Sequence, residues 1–173
     1  MMNKRLKKYP ERIFLFIGLF FCMSARSQVA IGKTEVNGDG ILDFGNLPKG
    51  IVLPLLQVLP DNPVNGTFVV DRNDTKVKVF SNGNWLMLTD VTGNSTGRVE
   101  NLSNDVGKGV IIGNPLSTAD GVLILESQNK ALILPKVENP HLNIPNPAIG
   151  TICYDSISKS LAVYDGNEWH YWK

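Results

Sequence analysis

Two long stretches of this chain are copies of each other, and that repetition constrains the fold more than any other feature. Pro63 to Trp85 aligns with Pro147 to Trp169 at an offset of 84, with six identities in 23 pairs. Upstream, Val29 to Pro54 aligns with Val110 to Pro135 at an offset of 81, with nine identities in 26 pairs. These include Gly32/Gly113, Asp39/Asp120, Gly40/Gly121, Lys49/Lys130 and Pro54/Pro135. The offset grows by three around His141 to Pro145, as a surface loop allows. One supersecondary unit is therefore used twice.

Each unit reads as strands separated by turns. Val77 and Val79 alternate with Lys76 and Lys78, and Leu161 and Val163 alternate with Ser160 and Ala162. That period of two marks half-buried strands. Asn82-Gly83 and Asp165-Gly166 supply the positive φ angles of tight hairpins. Pro54 and Pro135 interrupt the apolar runs Ile51 to Leu56 and Ala131 to Val137. Proline cannot donate to a ladder, so these runs are expected at edges, bulged, or extended without pairing. No amphipathic helix is legible after Ser27. The expected fold is all-β: two tandem copies of a small β-meander unit, at 28–90 and 110–173. A polar linker at 91–109, rich in Gly, Asn, Ser and Thr, joins them. Within it, Val99 and Leu102 suit a short strand.

Residues 1–27 read as a signal peptide helix. Lys4, Arg5, Lys7, Lys8 and Arg12 precede the apolar run Ile13 to Met23, which is short for a membrane span of about 20 residues. Ala25 and Ser27 suit cleavage before Gln28. The chain is thus expected to be exported, whether secreted, surface-bound or periplasmic, with no membrane span after cleavage. Residues 1–27 hold six of the 17 basic residues and one of the 16 acidic, leaving 11 and 15, a net charge of −4. That balance argues against a nucleic-acid surface, which needs clustered Lys and Arg. Cys153 is then the one remaining cysteine, expected to be a buried, unreactive thiol. Units of about 63 residues without a disulfide have small cores. Either the copies pack on each other or the chain forms a homo-oligomer. The second is expected here.

The Val29 to Gly32 and Val110 to Gly113 starts, the Leu53-Pro54 and Leu134-Pro135 segments, and the two closing meanders resemble a family of secreted and surface proteins common in Bacteroidota. Similar modules occur in adhesin-like and tail-fibre-like proteins. The resemblance implies a structural or adhesive role rather than an enzyme, and makes a trimer possible. It assigns no functional residues.

No catalytic constellation can be proposed from spacing, and no cofactor or metal is expected. Glu35, Asn37, Asp39 and Asp43 resemble part of a calcium loop, but the pattern fits a plain turn better. Trp85 and Trp169 are expected as core or interface plugs. Tyr171 and Trp172 could form a platform for a glycan, the alternative function being a carbohydrate-binding module. Asp155-Ser156-Ile157 resembles an O-glycosylation acceptor triplet of Bacteroidota, with Ser156 as the acceptor. His141 and His170 show no Cys or carboxylate at ligand spacing and default to surface roles. A surface glycan or another protein is the external partner expected. N-terminal sequencing of protein from the native host is expected to start at Gln28. A start at Met1 or Met2 would rule out the signal peptide.

Overall fold

The computed structural model describes residues 28–98 and 109–173. The expected signal segment and the suggested strand at Val99 and Leu102 lie outside the described residues. Copy one forms β1 (Val29–Ile31), β2 (Gly40–Phe44), β3 (Ile51–Val52), β4 (Leu55–Leu56), β5 (Phe68–Asp71), β6 (Lys76–Ser81) and β7 (Asn84–Met87). Copy two forms β8 (Val110–Ile112), β9 (Leu123–Leu125), β10 (Ala131–Leu132), β11 (Lys136–Val137), β12 (Thr151–Asp155), β13 (Ser160–Tyr164) and β14 (Trp169–Trp172). The two sets correspond strand for strand, and the fold is all-β.

The closing meanders are as expected. β5, β6 and β7 pair antiparallel in order, and so do β12, β13 and β14. Asp71 and Asp155 head the first turn of each. Their carboxylates accept the N–H of Asn73 (2.9 Å) and Ile157 (3.0 Å). Thr75 and Lys159 then take matching positive φ angles, 54° and 58°. Outside the meanders the pairing is mostly parallel: β1 with β2, β8 with β9, β4 with β5, and β11 with β12. Each unit is therefore more than a meander, because its first strands return in the same direction through wide loops.

The prolines divide their runs, and the halves go to different sheets. Before Pro54, β3 crosses to copy two and pairs antiparallel with β12. After it, β4 pairs with β5 of its own copy. Before Pro135, β10 crosses to copy one and pairs parallel with β2. After it, β11 pairs with β12. The prolines still accept. Val70 N–H donates to Pro54 O and Tyr154 N–H to Pro135 O, each at 2.8 Å.

Strand exchange brings the meanders together over one core. Copy one contributes Leu53, Val70, Val77 and Leu88, and copy two contributes Ile149, Ile152 and Val163. Each such side chain gains about 1.5–3 kcal/mol from burial. The small-core problem is thus relieved by packing between the copies. A second cluster, Val137, Cys153 and Ala162, lies on the other face of β12 and β13, with Ile144 and Trp169 against it.

Three local features depart from expectation. The added residues of copy two include a one-turn helix, α1 (Pro140–Asn143), with Pro140 buried. One turn opening on a proline shows no amphipathic period, so it left no sequence signal. Trp85 and Trp169 are half-buried and lie outside the shared core, so only Trp169, packed against the second cluster, acts as the expected core plug. Each also meets its cross-strand neighbour, Trp85 edge-on to Phe80 and Trp169 tilted against Tyr164, with ring centroids 5.3 Å apart in each pair. Finally, the first part of the expected linker is packed in place. Asn94 N–H donates to Asp165 O at 2.8 Å, and Thr75 Oγ1 donates to Gly93 O at 2.9 Å. A Cβ on Gly93 would stand 2.0 Å from Asp165 O, so only glycine fits there.

Arg98 ends this packed stretch. Its guanidinium donates to Ile149 O of copy two at 2.6 Å and to Leu53 O of copy one. One planar fork thereby ties the strand that crosses to the strand that receives it. Arg98→Ala is expected to lower stability by about 2–3 kcal/mol, since hydrogen bonds from a charged donor carry roughly 1.5–3 kcal/mol each. Arg98→Lys is expected to recover little, because one ammonium cannot reproduce the fork. Urea unfolding followed by tryptophan fluorescence measures both.

Candidate functional site

The polar group that stands out is the loop between β13 and β14. A tight hairpin was expected at Asp165-Gly166. Copy one has one: Asn82 and Gly83 sit between β6 and β7 with φ angles of 50° and 78°. In copy two the loop runs four residues, from Asp165 to Glu168, and only Gly166 has positive φ. The Asp165 side chain explains the difference. Its Oδ1 accepts the N–H groups of Asn167 (2.7 Å) and Glu168 (2.8 Å). Its Oδ2 lies 2.9 Å from His170 Nε2.

His170 therefore does have a carboxylate partner, against the expectation from spacing. The loop folds Asp165 back over a residue five positions later, which linear spacing does not reveal. Asp165 is fully buried. Burial pushes its carboxyl upward, but the Glu168 N–H, His170 and the Asn167 N–H outweigh that and hold it below its ordinary value. Glu168 adds an exposed carboxylate. One donor atom from each of Asp165, Glu168 and His170 lies within 4.8 Å of the others, a spacing one metal ion can bridge. Both Asp165 oxygens already accept hydrogen bonds, so the group's evident work is to lock the loop. Copy one carries Ser81, Asn84 and Leu86 at the matching positions. The shared fold thus does not require the group.

Tyr171 and Trp172 are not brought into one platform. They are adjacent in β14, and adjacent strand residues point to opposite faces. The Tyr171 hydroxyl lies 3.0 Å from His141 Nδ1, and the two rings meet edge-on. Trp172 points the other way, and its Nε1–H donates to Leu88 O at 2.6 Å. Each residue is about two-fifths exposed. A sugar would meet them one at a time.

Ser156 sits in the turn between β12 and β13, half-buried, with its N–H donating to Val137 O at 3.1 Å. It faces an open cleft of about 510 Å³ that also touches Asn46, Lys136, Glu138 and Asn143. In the calcium-like stretch, Asp43 is buried. It accepts from Lys33 Nζ (2.6 Å), Asn37 N–H (2.9 Å) and Phe44 N–H (2.8 Å). Lys33 thus supplies the positive charge there, while Glu35, Asn37 and Asp39 are exposed. In copy two the Asp43 position is Ile124, and Lys33 becomes Asn114. Cys153 is fully buried, and burial with the nearby Asp155 charge pushes its thiol up to about 12. It is the inert thiol expected.

Sequence reasoning missed Asp165, His170 and Arg98. The first two carried a usable signal, since each is a polar residue whose counterpart in copy one is weaker or apolar. No protein-family model, curated protein or solved structure matches the chain. A carboxyl held low when folded adds stability above its ordinary value of 3.8, and that contribution is lost as pH falls through the lowered value. Asp165→Asn is therefore expected to melt below wild type at neutral pH. The gap is expected to close as pH falls below 3.8 in thermal scans. A gap unchanged in acid would show that the charge on Asp165 does not matter.

Proposed function

We propose that this chain is an exported, non-enzymatic β-repeat protein with a structural or adhesive role, acting through self-association. The observation that carries this reading is the β8–β9 pair. It forms a sheet of only two strands, and neither outer edge is hydrogen-bonded among the described residues. Val110 and Val122, at its rim, are 59% and 63% exposed. An isolated two-strand sheet is marginal, and open edges add further strands. β7 repeats the theme at the other end of copy one, with Leu86 and Met87 exposed on an edge strand.

The buried carboxylates fit the same reading. Asp43 and Asp71 meet lysines, Asp155 caps a turn, and Asp165 locks a loop. Each supports the framework. Export rests on the basic and apolar pattern of residues 1–27, and no helix among the described residues is long and apolar enough to cross a membrane.

Purified residues 28–173 can be assayed in parallel for self-association, for binding to cell surfaces, and for turnover of ester, peptide and glycoside substrates. Association or surface binding without turnover is the expected result. Turnover that disappears in His170→Ala would overturn the non-enzymatic reading. A chain that neither associates nor binds a surface would overturn the rest.

A further inference from the structure

β3 and β10 occupy the same place in their repeats, yet they use opposite edges. Leu53 N–H donates to Gly150 O at 2.9 Å, where β3 meets the start of β12. Successive N–H groups along a strand alternate in direction. The N–H groups of Gly50 and Val52 therefore point away from β12. In β10 the bonds run from the other set. Ala131 N–H donates to Asp39 O at 3.3 Å and Ile133 N–H to Leu42 O at 3.0 Å. Ala131 and Ile133 are the repeat counterparts of Gly50 and Val52. The edge that β10 uses on β2 is thus the edge that β3 keeps free among the described residues.

The matching receptor edge is free as well among the described residues. β9 is the counterpart of β2. Val122 O accepts Val110 N–H at 2.9 Å, and Glu126 N–H donates to Ile112 O at 2.9 Å. Those positions face β8, which turns the backbone of Leu123 outward. β2 holds a third parallel strand on that side, and β9 holds none among the described residues. Val52 and Leu123 are 49% and 47% exposed.

We infer that β3 of one molecule adds in parallel to β9 of a second copy of this chain. The register places Gly50 opposite Gly121 and Ile51 opposite Leu123, as Ala131 lies opposite Gly40 and Leu132 opposite Leu42 in one molecule. Val52 N–H then donates to Leu123 O, Leu123 N–H to Gly50 O, and Gly50 N–H to Asp120 O, following the parallel Leu132–Leu42 pair. The donor strand and the receptor strand are both present in every chain. Two molecules can exchange them reciprocally and close a two-fold dimer, in which all free edges of this type are filled. This strand addition rests on the self-association proposed above.

Light scattering on residues 28–173, on Leu123→Pro and on Val52→Pro tests it. Proline at these outward positions removes a donor only on the free side. Wild type is expected at twice the monomer mass, and each variant at half of that, with an unchanged near-UV spectrum. Hydrogen exchange on wild type gives a second measurement that needs no variant: protection of the Val52 amide is expected to rise with protein concentration. An oligomer that keeps its mass in both variants would overturn the strand addition while leaving self-association standing. A Val52 amide indifferent to concentration would do the same. Wild type that stays monomeric at every concentration would overturn both.

Discussion

A proline nitrogen has no hydrogen to donate, so a strand that reaches Pro54 or Pro135 cannot continue in the ladder it began. Most of the architecture follows from that. Each interrupted run becomes two short strands, and the two find different partners. Residues before the proline cross to the other copy, and residues after it return to their own.

Crossing also explains how the described residues, which hold no disulfide, close a core. Val70, Val77 and Leu88 present one apolar face, and Ile152 and Val163 present another. Leu53, on the crossing segment, belongs to the same buried cluster. Arg98 fixes its carbonyl beside that of Ile149. Where the copies differ in sequence, the framework tolerates the change. The slot that holds the Lys33–Asp43 pair in copy one holds Ile124 in copy two, consistent with apolar residues replacing buried ion pairs without loss of fold.

The sequence made local structure legible wherever one residue type decides the backbone. The strands of the meanders, the Asn82-Gly83 turn, the proline breaks and the buried Cys153 all belong to that class. Partner choice was not legible, because a two-residue strand such as Ile51-Val52 carries no mark of which edge it will meet. The Asp165 loop escaped for a related reason. Asp-Gly is a hairpin signal, but a buried carboxylate that accepts two N–H groups stretched the turn to four residues. Tyr171 and Trp172 looked like one surface in the chain. The alternation of a strand separates them.

The bond between Leu53 and Gly150 joins residues 97 positions apart in the sequence (150 − 53). Contacts of such wide sequence separation form late and slow the search for the native state. During synthesis the first copy emerges alone, with Leu53, Val70, Val77 and Leu88 facing a partner that does not yet exist. Until β12 arrives, that copy carries an open apolar face and an unclaimed crossing strand, the features that draw chaperones and promote misassembly. The swap that unites the mature protein therefore makes the half-made chain its most vulnerable form.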